Sequence, residues 1–192
     1  MDFNPLPYIW GTRFKAALYL RDYGAANRVI AATPAKWASQ LGPFDGPAEW
    51  AYGQVARARG DTQSALAAFQ AARNKEDALS KDHPENPGHI LGTARYDAGL
   101  GRKEEAIREA RRAIEIEPIS TDSLNGPYNV ANLALVYAWT GERDAALEQL
   151  EAVATIPAGP TYGDLRFNPC WDSLRGDPRF DKIIAAAKAA SR

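Results

Sequence analysis

Residues 90–118 read ILGTARYDAGLGRKEEAIREARRAIEIEP, and this stretch decides the fold. Two helical patterns meet at Gly101. Ala94 and Ala98 mark the first, Ala106, Ala110 and Ala113 mark the second, and Pro118 closes it. Alanines three or four apart share one helix face and let two backbones approach closely, as an antiparallel helical hairpin requires. Working outward, the same arrangement recurs three more times. Pro7 to about Gln40 carries Trp10, Phe14, Ala17, the turn Arg21-Asp22-Tyr23, then Ala26 and Ile30. A unit from Gly46 carries Trp50, Gly53, Ala56, the turn Gly60-Asp61, then Ala65, Phe69 and Ala72. A unit from Pro127 carries Val130, Leu133, Ala134, Tyr137, the turn Gly141-Glu142, then Ala146, Leu150 and Val153. Turn positions Asp22, Asp61, Arg102 and Glu142 follow one another at 39, 41 and 40 residues.

The pattern predicts one all-α domain over residues 1–192, with hairpins at about 7–40, 46–80, 87–118 and 127–158 and a C-terminal cap over 159–192. Asp45-Gly46-Pro47, Asn86-Pro87 and Asn125-Gly126-Pro127 each place a capping side chain near a proline suited to a first helical turn. Asp22 and Asp61 can cap second helices. Glu104–Arg108 and Arg111–Glu115 are four apart, which supports an exposed charged face. Segments 39–45, 74–86 and 119–126 read as longer helices or loops between hairpins. Phe180, Ile183, Ile184 and Ala187 form one stripe on a last helix opened by Asp177-Pro178, placed to cover the bare end of the fourth hairpin.

These residues resemble the tetratricopeptide repeat family. Its signature puts small and aromatic residues at the places held here by Gly53, Ala65, Phe69 and Ala72, by Ala94, Ala106, Ala113 and Pro118, and by Ala134, Tyr137 and Ala146. The first unit departs, with Arg21 where glycine is usual and Phe14 where a small residue is usual, and the period near 40 exceeds the family's 34. The resemblance implies a right-handed α-solenoid of about four hairpins, with the first helix of each lining a concave groove. By that resemblance Tyr8, Lys15, Tyr19, Trp50, Gln54, Arg57, Arg95, Tyr128, Leu135 and Trp139 face the groove, with Asn132 beside them. Aromatics, cations and amides of this kind suit a peptide with some acidic character. A carboxylate clamp of the sort some family members carry is not expected, because its matching places hold Gly11, Lys15, Ala51, Gly88 and Gly92. The tail from Leu165 through Trp171, Leu174 and Arg175-Gly176-Asp177-Pro178-Arg179-Phe180 resembles the ends of such arrays in large bacterial signalling and regulatory proteins.

Composition narrows the function classes. The chain is 45 % hydrophobic and 24 % charged, outside the disordered range. A net charge of −1 gives no general attraction to nucleic acid or anionic lipid. No stretch reaches the roughly 18 apolar residues of a membrane span. The N-terminus lacks a basic start followed by an apolar run, so no signal peptide is expected. His83 and His89 are the only histidines and read as members of a solvated loop, so no metal is expected. Cys170 beside Trp171 reads as a buried thiol rather than a nucleophile. There is no phosphate loop, and Arg108, Arg111 and Arg112 are interleaved with glutamates.

The expected function is therefore a protein–protein interaction module, not an enzyme, with no cofactor, binding a protein or peptide as the sensor or scaffold of a larger bacterial signalling protein. Self-association into a homodimer is the alternative, and a metal-dependent enzyme on a helical frame is a remote one. The expected compartment is the cytoplasm, or the periplasm for a piece of a membrane-anchored parent.

Overall fold

The structure is a computed structural model that describes residues 7–38 and 46–191, with side chains from Ile9 onward. Segment 39–45, including the expected cap Asp45, lies outside the described residues. Ten α-helices and short 3-10 turns follow in chain order, and no strand occurs among the described residues. They are α1 (Pro7–Tyr19), α2 (Tyr23–Ala32), α3 (Ala48–Ala58), α4 (Thr62–Leu79), α5 (Pro87–Gly99), α6 (Lys103–Ile116), α7 (Asn125–Thr140), α8 (Arg143–Val153), α9 (Tyr162–Phe167) and α10 (Pro178–Ala190). The chain divides into two compact units, Met1–Lys75 and Glu76–Arg192.

One turn joins α1 to α2, α3 to α4, α5 to α6 and α7 to α8. In each, the N–H of the residue after the turn reaches back five positions: Asp22 to Ala17, Asp61 to Ala56, Arg102 to Asp97 and Glu142 to Tyr137, all at 2.9 Å. This six-to-one bond satisfies a carbonyl that the helix end leaves without a partner, and it needs a left-handed residue just before. Gly60, Gly101 and Gly141 supply it at φ 77°, 79° and 88°, and Arg21 adopts it at φ 60°. Asp22 and Asp61 cap the following helices, accepting from the Ala25 and Ser64 N–H at 2.8 and 3.1 Å.

In the first unit, Phe14, Ala17 and Leu18 of α1 pack with Ala26 and Ile30 of α2 and with Ala51 and Val55 of α3. Trp50 and Phe69 join α3 to α4, their ring centres 5.5 Å apart. A Cβ added to Gly53 would fall inside the Phe69 ring, so this close approach depends on glycine.

In the second unit α5 packs on α6 and α7, α6 on α7, and α7 on α8. The alanines that mark the sequence pattern are buried here: Ala94, Ala106, Ala110, Ala113, Ala134 and Ala146, as is Ala65 in the first unit. α7 is the central helix, buried at Gly126, Pro127 and from Asn129 through Ala138. The stripe Phe180, Ile183, Ile184 and Ala187 is buried, with α10 against α8 and α9. Arg143 of α8 fastens the tail by donating to the carbonyls of Ser173, Leu174 and Arg175.

Several local expectations need correction. Residues 74–79 need none: they continue α4, one of the longer helices expected between hairpins. α7 begins at Asn125, and the capping carboxylate is Asp122, which accepts from the Leu124 and Asn125 N–H at 2.8 and 2.7 Å. Asn86 does cap α5, through the Gly88 N–H at 2.9 Å. His89 lies on α5 and not in a loop. The expected exposed charged face of α6 is present, with Glu104, Arg108, Arg111 and Glu115 all exposed, but neither i,i+4 pair closes. Arg108 turns to Glu109 at 3.3 Å and Arg111 to the Tyr137 hydroxyl at 2.9 Å.

Candidate binding surface

The residues expected to line a groove sit on α1, α3, α5 and α7. Within the first unit, Trp50 is fully buried against Phe69 and Gln54 is buried on α3. Lys15 and Tyr19 are half-buried and Arg57 is exposed. The Tyr8 side chain lies outside the described residues.

Within the second unit, Arg95 is 3 % exposed. Its Nη1 donates to Tyr128 Oη at 3.1 Å and to Asn132 Oδ1 at 2.7 Å, while Asn132 Nδ2 donates to the Tyr128 carbonyl at 2.8 Å. Burial alone would weaken the Arg95 cation. The neighbouring Tyr128 and Tyr96 oxygens outweigh it, and the pKa rises above its ordinary value. The guanidinium therefore stays charged and acts as a peg between α5 and α7. Leu135 is fully buried. Trp139 is half-buried and donates from Nε1 to the Cys170 carbonyl at 3.0 Å, tying α7 to the 3-10 turn Pro169–Leu174. The surface that these candidates leave accessible is carried by Lys15, Tyr19 and Arg57 in one unit and by Tyr128 and Trp139 in the other.

Sequence reasoning missed three features of the second unit. The first is a cleft of about 700 Å³ bounded by α6, α7 and α8, where Lys103, Ile107, Arg108, Arg111 and Arg112 face Tyr137, Glu142 and Ala145. Arg111 donates from Nε to Tyr137 Oη and lies over the ring at 5.8 Å. The available signal was Tyr137 itself, since a tyrosine packed with its ring in a core still needs a partner for its hydroxyl.

The second is a cleft of about 590 Å³ between α8 and α10, bordered by Leu147, Glu148, Arg179, Lys182 and Ile183. Arg179 there already holds Asp144 at 2.7 Å and Asp177 at 2.9 Å. Its two carboxylate partners raise its pKa, with Asp177 contributing most.

The third is a buried carboxylate. Glu76, 6 % exposed, accepts from His89 Nδ1 at 2.6 Å and from the Tyr96 hydroxyl at 3.4 Å. The carboxyl group occupies the space left by Gly92, where a Cβ would stand 2.8 Å from Oε2. Tyr96 is pushed well above its ordinary pKa, chiefly by burial and also by the Glu76 charge. His83 is exposed. Among the described residues no three histidine, cysteine or acidic side chains gather as a metal site would require.

The chain matches no family model and no curated protein significantly. No helix among the described residues is long and apolar enough to cross a membrane.

Proposed function

We propose that this chain is an interaction module of tetratricopeptide-like hairpins that takes a partner protein or peptide on the accessible faces of its first helices. One observation carries the reading. The same closed turn, with the same six-to-one bond and a left-handed residue just before it, occurs four times at a spacing of 39 to 41 residues. Hairpins repeated in this way bury their small-residue faces on their neighbours and leave long helix faces for a ligand. A right-handed solenoid is the arrangement that the reading implies. Arg95 of α5 gives its Nη1 to Tyr128 and Asn132 of α7, which suits a scaffold that positions Tyr128 more than a site that does chemistry. The resemblance of the tail to those of bacterial signalling proteins supports a place as the sensor end of a larger chain.

Selection of a random-peptide library on the immobilised protein tests this. Enriched peptides should bind at least tenfold more weakly to Tyr128→Ala or Arg57→Ala, read by fluorescence polarisation, while Tm stays within a few degrees. Failure to enrich any peptide, or indifference of the enriched peptides to both substitutions, would reject the first-helix surface. A concentration-dependent dimer in light scattering, lost on the same substitutions, would replace the reading with self-association.

A further inference from the structure

We infer that the cleft bounded by α6, α7 and α8 is a second docking surface, which takes a peptide segment bearing one acidic side chain flanked by apolar ones. Arg111 is the anchor. The basic side chains around it on the same helix are occupied. Lys103 pairs with Glu142, Arg108 with Glu109 at 3.3 Å, and Arg112 with Glu85 at 2.5 Å and Glu109 at 3.7 Å. Arg111 pairs with no carboxylate among the described residues. Glu115 stands one turn further along α6, where a helix pair could form, yet the Arg111 Nε is given to the Tyr137 hydroxyl instead.

Tyr137 is 5 % exposed, so the group that holds Arg111 is itself fixed by the core. The Nε bond and the ring at 5.8 Å hold the guanidinium, and its Nη1 and Nη2, a two-donor fork, make no hydrogen bond among the described residues. Such a fork matches the two oxygens of a carboxylate and loses little side-chain entropy on binding. Ile107 and Ala145 line the same cleft and give an apolar flank for the neighbouring residues of the segment.

The charges of the cleft limit the occupant. Glu104, Glu115 and Glu142 stand among the cations of the cleft, and Glu85 and Glu109 hold Arg112 and Arg108, so the cation left for an incoming carboxylate is Arg111. One carboxylate serves that single cation. A run of acidic residues, or a nucleic-acid backbone, would meet the three glutamates and be repelled. The α8–α10 cleft offers no equivalent, because Arg179 is already held by Asp144 and Asp177. The inference does not depend on the first-helix surface proposed above.

The test is a nuclear magnetic resonance titration of the isotope-labelled full chain with the blocked peptide acetyl-Leu-Glu-Leu-amide. Saturable shifts of the Arg111 Nε–H and the Ala145 methyl are expected, with affinity at least tenfold weaker for acetyl-Leu-Gln-Leu-amide. Arg111→Gln should remove the binding. Tyr137→Phe, which keeps the ring and frees the guanidinium, should weaken it about threefold or more. Absence of saturable shifts overturns the inference, as do equal affinity for the two peptides and undiminished binding by Arg111→Gln. Shifts at these residues that grow with protein concentration alone would assign the face to a second copy of the chain and also overturn it.

Discussion

Arg21 occupies a backbone region that suits glycine, at φ 60°. A residue with a Cβ costs roughly 1–2 kcal/mol there, while glycine loses about 0.5–1 kcal/mol through unfolded-state freedom. Arg21→Gly should therefore raise stability by up to about 1 kcal/mol, and Gly101→Ala should lower it by a similar amount, both read from urea denaturation midpoints. A Cβ at Gly101 meets nothing within 4 Å, so conformation alone is tested there. Gly53→Ala is the opposite case. Its methyl would enter the Phe69 ring, and overpacking of that kind costs about 1–3 kcal/mol. Both positions were legible in the sequence as turn and small-residue places. The fate of Arg95 was not, because the groups that bury it, Tyr128 and Asn132, lie 33 and 37 residues away on another helix. Arg95→Ala leaves the Asn132 oxygen without its donor and should cost about 3 kcal/mol, against about 0.5 kcal/mol or less for the exposed Arg57→Ala. Thermal melts of the two variants separate a structural arginine from a surface one.

Three of the four helix pairs followed from the spacing of small residues, because such residues at one-turn intervals leave few ways for two helices to meet. Helix limits were less legible. The sequence NKEDAL at 74–79 is as polar as a loop, yet it stays helical in α4, and Glu76 reaches His89 and Tyr96. Nothing local marks that contact. The last element shows the reverse: the Asp177-Pro178 start was readable, and Asp177 caps α10 through the Arg179 N–H at 2.9 Å. Bonding first to the Arg179 side chain, then to its N–H, holds the Asp177 carboxyl well below its usual range, and Arg143 adds to this. A depressed folded pKa means that the stabilisation is complete above the unfolded value of about 3.9 and is lost as pH falls below it. Asp177→Asn should accordingly flatten the acid side of the stability profile below about pH 5, seen as a smaller drop in Tm between pH 5 and pH 3. An unchanged profile would mean that the carboxylate's bonds are not kept in solution.

At the scale of the whole molecule, composition and charge bounded the class of protein, and the repeat placed most of the buried alanines. The surface was harder to read. Of the eleven residues expected on a groove, Trp50, Gln54, Arg95, Asn132 and Leu135 are buried, because one helix face cannot be told from the next while the angle between helices is unknown. The α6–α8 cleft was hidden for a related reason, since Arg111 and Tyr137 are 26 residues apart and neither is unusual alone. Native-state hydrogen exchange offers a test of the second unit. Amides of α7, buried along most of its length, should exchange most slowly, and those of the six-residue α9 should be among the fastest. The fastening of the tail has a consequence for variation among descendants of this sequence. Arg143 holds main-chain oxygens at 173, 174 and 175, and every residue type presents those oxygens alike. Replacement of Ser173 or Arg175 leaves that grip in place, whereas a lysine at 143, with a single amine in place of a fork, must surrender part of it. Drift is thus tolerated on the held strand of chain and penalised at the hand that holds it.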